Sequence, residues 1–208
     1  MARPSPQLIG TNATPLAGLV RPGCAWVALC VWLGIAAPLF IGMPLNSDTA
    51  LYDVQTRAVL SGGVAYRDIV EPNLPGALWI HLGIRSAFGW SSEAMRTVDL
   101  VVLGITLWLW AGAFERKKHV TPIFLLAATL FYLTRNEWCH AQRDAWMLMP
   151  AELALKLRYR RRCDVWSLCA LLEGFCWGCA VWIKPHVAVP AAATVLIDLR
   201  QESSRLGM

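Results

Sequence analysis

The sequence predicts an all-α fold: a polytopic membrane protein of about six transmembrane helices, with interfacial amphipathic helices in its first outer loop. Three observations carry that reading. Of the 208 residues, 56% are hydrophobic, only 16% are charged and eleven are Trp, a balance foreign to soluble domains. Residues Cys24 to Met43 form an uncharged run of 20, and at about 1.5 Å per residue a helix of that length crosses a hydrocarbon core about 30 Å thick. The apolar runs that follow are punctuated by short charged clusters, as topology signals are. The net charge of +5 resides in those clusters, which argues against a nucleic-acid partner.

Residues 1–23 read as a cytoplasmic amino-terminal segment. They carry Arg3, Arg21 and several prolines and lack a small-residue cleavage site, so the first helix is expected to stay as an uncleaved signal anchor. The "NAT" tripeptide at Asn12 fits a glycan acceptor but would face the cytoplasm. An outer loop, 44–95, follows the first span. Within it "NSD" offers cap-forming side chains before a helix-compatible run from Thr49 to Leu60, whose Ala50, Leu51, Val54 and Ala58 share one face. "SGG" at 61–63 stops that helix, and "EPNLPG" turns the chain again.

The stretch 74–90, "LPGALWIHLGIRSAFGW", decides the topology. His81 and Arg85 lie four apart on one helical face, and a central Arg costs about 2.5–3.5 kcal/mol on insertion, so the helix is expected to lie flat at the outer interface. Spans are then expected at about 97–114, 120–134, 145–157, 165–183 and 187–199, giving a membrane domain over 24–199 and a cytoplasmic tail at 200–208. The runs 120–134 and 145–157 are short and call for polar flanks or a locally thinner bilayer. With the amino terminus inside, twelve of the 19 Lys and Arg residues face the cytoplasm and seven face out. If 74–90 spanned instead, "ERKKH" and "KLRYRRR" would move outside and reverse that bias. The expected location is a multi-pass plasma (inner) membrane protein with a cytoplasmic amino terminus.

This topology gathers three polar segments on the outer side: the first loop, "RNEWCHAQRD" at 135–144 and "KPH" at 184–186. Solvated loops need no active site to be charged; what points further is the mixture of acids with Arg, Lys and His at the ends of short helices. Asp48 stands at a helix amino terminus, where the dipole favours its ionised form and capping is the plainer role. Asp99 follows Arg96 by three residues, an expected helical pair near the outer end of the second span, while Glu152 and Glu173 lie deeper and need polar partners or a proton. Seven cysteines sit mostly in apolar segments, and "CWGC" (Cys176, Cys179) lacks a second thiol pair or nearby histidines, so these read as small buried residues and no metal site is expected.

The order of features resembles the GT-C superfamily of integral membrane glycosyltransferases, which includes the protein O-mannosyltransferases and the aminoarabinose transferases of lipid A. Carrying the resemblance are Asp48 just beyond the first span, Tyr52, the stop at Ser61 to Gly63, "YRD" (Tyr66 to Asp68), the turn Pro72 to Pro75, "FG" (Phe88, Gly89) and Arg96 opening the next span. "QRD" with "LMP" (Gln142 to Asp144, Leu148 to Pro150) and "IKP" (Ile183 to Pro185) extend it across about residues 24–200. Two departures are visible. Thr49 follows Asp48 where many relatives have Asp-Glu, and family members usually run longer, so the resemblance is to an apparently truncated member.

The resemblance implies transfer of a sugar, with inversion, from a polyprenyl-phosphate donor to an outer-face acceptor of unknown identity. Single displacement needs one carboxylate to accept the acceptor's proton and cations to hold the charge growing on the leaving phosphate. Asp48 takes the base role by correspondence with the family's first acid. Asp144 would orient the acceptor or, in a metal-assisted variant, share a divalent cation with Asp48; no cofactor is required. Arg143, Lys184 and His186 would grip the carrier phosphate, with Arg67 and Glu71 as outlying contacts. A lipid-borne donor also demands a hydrophobic groove between the interfacial helices and the spans, lined by interfacial Trp. Two other readings stay open: a non-catalytic remnant or assembly partner, and a membrane transporter suggested by the intramembrane acids, although no inverted repeat is visible.

Overall fold

A computed structural model describes residues 22–112, 120–160 and 168–206, and among these residues the chain is helical, joined by turns, with no strand. In chain order the helices are α1 (Pro22–Ile41), α2 (Ser47–Leu60), α3 (Gly76–Phe88), α4 (Ser92–Ala111), α5 (Val120–Leu133), α6 (Arg143–Trp146), α7 (Leu148–Arg160), α8 (Leu168–Ile183) and α9 (Ala188–Leu206). Short 3-10 turns at Glu137–Cys139 and Pro185–Val187 precede α6 and α9. Asn12 and the basic cluster at Arg116 to Lys118 lie outside the described residues, as do Arg161 and Arg162.

Two helices are long and apolar enough to cross a membrane by length and composition: Gly23–Ile41, with 19 residues, and Ser92–Ala111, with 20. Val120–Leu133 and Leu168–Ile183 are apolar but shorter; their 14 and 16 residues reach about 21 and 24 Å. α3 has 13 residues, about 20 Å, short of a crossing. α9 runs on to Leu206, beyond the apolar stretch that ends near 199.

Local chemistry sets the boundaries. Asn46 caps α2, its side-chain oxygen accepting the Thr49 N–H at 2.8 Å. At the other end Gly62 adopts φ 97 and the Gly63 N–H returns to the Ala58 carbonyl, so "SGG" stops the helix by a left-handed turn. Ser91 caps α4 through the Ala94 N–H.

α1 lays Leu29, Ala36 and Phe40 inward, against a layer formed with α4 and α5, and leaves Val27, Val31, Ile35 and Leu39 exposed on its other side. α7 and α8 pair closely because Ala154 and Ala180, both 0% exposed, let the backbones approach. The amino end of α3 abuts the carboxy end of α8 so tightly that a Cβ on Gly76 would lie 2.4 Å from the Trp182 carbonyl oxygen. Beside this contact Trp79 and Trp182 stack with ring centroids 5.2 Å apart.

At the opposite end of α7 and α8, Arg158 binds buried Glu173 (Nη2 to Oε1, 2.6 Å), the Thr194 carbonyl at 3.0 Å and Asp198, tying α7, α8 and α9 together. Glu173 therefore has the polar partner that its depth demands. Glu152 is half-buried on α7.

α2 is inside out by the standard of a water-soluble helix. Thr49, Gln55 and Thr56 are buried with Tyr52, whereas Leu51 and Val54 are 54% and 65% exposed. The apolar face anticipated from Ala50, Leu51, Val54 and Ala58 exists, and it points away from the protein.

Candidate functional site

The site begins with a buried carboxylate. Asp99 on α4, 1% exposed, accepts the Trp146 indole N–H at 2.7 Å, the Ala141 backbone N–H at 2.9 Å and the Tyr132 hydroxyl at 3.0 Å. Its sequence neighbour Arg96 turns toward the Pro44 carbonyl and the Phe40 ring. Beside the helical neighbour expected from the i, i+3 spacing, three donors from distant segments satisfy the carboxylate inside the packed layer.

The segment that Asp99 holds carries Gln142, Arg143 and Asp144 to the carboxy end of α8 and the amino end of α2. Gln142 donates to Asp48 at 3.2 Å. The Arg143 guanidinium lies 5.8 Å from the centroid of the Tyr52 ring, with Nη1 buried and without a hydrogen-bond partner. Lys184 donates to Asp144 at 2.8 Å; Asp144 is 58% exposed and Lys184 24%.

Glu71 reaches the same neighbourhood from the first loop. It accepts from Gln55 at 2.8 Å and from the Asn73 N–H at 2.9 Å, which fastens the Pro-rich turn to α2. Burial opposes its ionisation, but hydrogen bonds from Gln55 and Asn73 and the Arg143 charge outweigh it and hold the carboxyl below the ordinary range. Burial also raises the Tyr52 phenol above its ordinary value, with Arg143 opposing and Glu71 and Asp48 adding to the rise. Asp48, Tyr52, Glu71 and Arg143 therefore share one electrostatic environment.

Of the residues singled out in the sequence, Asp48, Asp144, Arg143, Lys184 and Glu71 come together here. His186 is exposed on the adjoining 3-10 turn. Arg67 forms a fork with its own neighbour Asp68 at 2.8–2.9 Å on the exposed turn after α2, where Tyr66 adopts φ 66 and donates to the Asn73 carbonyl. That arrangement serves the turn. Among the described residues no three His, Cys, Asp or Glu side chains converge as a metal-binding set.

A second network supports α2 from below. Asp53 receives a two-pronged bond from Arg85 (2.8 and 2.5 Å), with His81 Nδ1 at 3.3 Å. Arg85 also donates to the Gly89 and Ser91 carbonyls. Burial opposes the charge on Asp53, and the bonds from His81 and Arg85 overcome it, leaving its pKa below the ordinary value. His81 and Arg85 share a face as their spacing requires; the missing signal was Asp53, 28 and 32 residues away.

Beside the polar cluster lies an apolar cavity of about 480 Å³ between α3, α4, α7 and α8, lined by Ile80, Val102, Trp108, Trp146, Phe175 and Ile183 among others. A neighbouring cavity of about 530 Å³ shares Ile80, Phe175, Cys179 and Ile183 and opens past Trp79 and Trp182. Together they form a greasy groove. Two of its lining residues lead straight into the polar cluster: Ile183 precedes Lys184, and Trp146 belongs to the short helix of Arg143 and Asp144. Cys176 and Cys179 line it as free thiols. No family model, curated protein or solved structure matches the chain.

Proposed function

We propose that the chain is a multi-pass membrane glycosyltransferase of the GT-C kind, acting at the outer face on a sugar carried by a polyprenyl phosphate. One observation carries the reading: an apolar groove that ends beside a cluster of two acids, an arginine and a lysine. An isoprenoid tail matches the groove, and a phosphate matches the cations at its end.

In this reading Asp48 accepts the acceptor hydroxyl's proton as that oxygen attacks the anomeric carbon and the carrier phosphate leaves. Arg143, whose Nη1 is unpartnered, and Lys184 take up the charge developing on the phosphate. Asp144 holds Lys184 in place until the phosphate competes for it. Gln142 fixes the Asp48 carboxylate, and Glu71 keeps Arg143 turned toward the cluster.

The direct test is sugar transfer from labelled polyprenyl-phosphate donors by purified chain in lipid. Asp48→Asn should lower turnover by about 10²–10⁴-fold, the usual contribution of a general base. Undiminished transfer removes Asp48 from the chemistry. A carrier-binding partner without transferase activity needs the same groove and cations but not Asp48; it would bind the lipid phosphate and transfer nothing. Transport is disfavoured because the buried acids Asp99 and Glu173 are tied to separate partners and the cavity between α3, α4, α7 and α8 is apolar throughout.

A further inference from the structure

We infer that Asp99 is the positioning residue of this site, acting through Ala141 and Trp146 on Gln142, Arg143 and Asp144 between them. The inference rests on the reading of the cluster as a phosphate-binding site, and its geometric part can be tested without any ligand.

One carboxylate pins both ends of a six-residue segment, Ala141 by its backbone N–H and Trp146 by its indole N–H. Gln142, Arg143 and Asp144 lie between those two anchors and reach Asp48, Tyr52 and Lys184 respectively. Ala141 adopts φ 53, a left-handed conformation that is unfavourable for a residue with a Cβ and persists only where its surroundings enforce it. The bond to Asp99 supplies that enforcement at Ala141 itself.

The adjoining peptide is tied to the other half of the site. Asn46, the cap of α2, donates to the His140 carbonyl at 2.9 Å while accepting the Thr49 N–H. Asp48 and the Gln142 to Asp144 segment are therefore set against each other through one pair of consecutive residues, His140 and Ala141. Only a carboxylate of this size can accept from three donors at once. An amide would turn its own NH₂ toward the N–H groups of Ala141 or Trp146.

The ligand-free test is acetylation of Lys184 by an amine-reactive ester, followed residue by residue by mass spectrometry on the full chain in detergent micelles. Lys156 of α7, which sits over the Trp108 ring of α4, is the internal reference. Asp144→Asn calibrates the release of Lys184. With Asp99→Asn, Lys184 should react about fivefold faster while Lys156 keeps its wild-type rate. Trp146→Phe removes a single anchor and preserves the apolar packing; it should give a smaller rise at Lys184, again without change at Lys156.

If Asp144→Asn accelerates Lys184 and neither anchor variant does, the inference is overturned. It is equally overturned if Lys184 and Lys156 accelerate together in both variants, since Asp99 would then serve general stability alone. Binding of farnesyl phosphate, compared with farnesol, tests the underlying reading separately. Wild type should prefer the phosphate, and Arg143→Gln and Asp99→Asn should each narrow that preference. Equal binding of phosphate and alcohol by wild type would refute the phosphate site, while the acetylation rates would still decide whether Asp99 sets the segment.

Discussion

Replacing Asp53 by Asn tests how α3 is held to α2. The Arg85 side chain is fully buried and Asp53 is 16% exposed, so the pair is largely shielded from water. Removing one partner of a buried pair costs about 3–5 kcal/mol, because the remaining charge stays buried without its counterion. The lower end applies here, since Arg85 keeps its bonds to the Gly89 and Ser91 carbonyls. A chain of this size loses about 2–4 °C of melting temperature per kcal/mol, so Asp53→Asn should melt about 6–12 °C below wild type at pH 7.

The sign of the pH dependence follows from the direction of the shift. Asp53 has a folded pKa below its ordinary 3.8, so its contribution is complete above that value and fades as pH falls through the lower folded one. Thermal unfolding in one fixed detergent, followed by tryptophan fluorescence, measures both effects. The gap between wild type and variant should close as the pH drops below 3.8. Near-identical melting at pH 7, or a gap that does not narrow at all as the pH falls below 3.8, would refute the ionic lock.

Two further substitutions test other contacts. Gly76→Ala places a methyl group 2.4 Å from a backbone oxygen on α8; it should cost about 1–3 kcal/mol and disturb the Trp79–Trp182 stack, read as a change in near-ultraviolet dichroism. At the far end, Arg158→Met removes the guanidinium that bonds the Glu173 carboxylate, which is 4% exposed, and Asp198, and should destabilise by about 3 kcal/mol. The double change Arg158→Met, Glu173→Met should cost less than the two single changes added together, and strictly additive losses would contradict the pairing.

Helix positions were largely legible because their punctuation is local. The uncharged run from Cys24 became α1, "SGG" ended α2, and the stretch from 74 to 90 became α3 between Pro75 and Gly89. The candidate site was legible in part: charged residues at three helix ends marked it, and the fold brings Asp48, Arg143, Asp144 and Lys184 together. What sequence could not give was the choice of partners. Asp99 takes donors 33 to 47 residues away, none of them marked by local spacing. Arg67 does the reverse and bonds its immediate neighbour. The left-handed Ala141 has no signal at all, since alanine ordinarily avoids that conformation and only tertiary bonds hold it there.

The inverted face of α2 makes the site's shape depend on what surrounds the chain. Its threonines and glutamine look inward and Leu51 and Val54 look outward, an orientation favoured only while something oily occupies the far side. In plain water the same helix would gain by rolling about its axis, and rolling would pull Asp48 from Gln142 and Tyr52 from Arg143. Under the proposed membrane setting, hydrocarbon is the missing wall of the chamber, and a delipidated preparation would assay a differently shaped one.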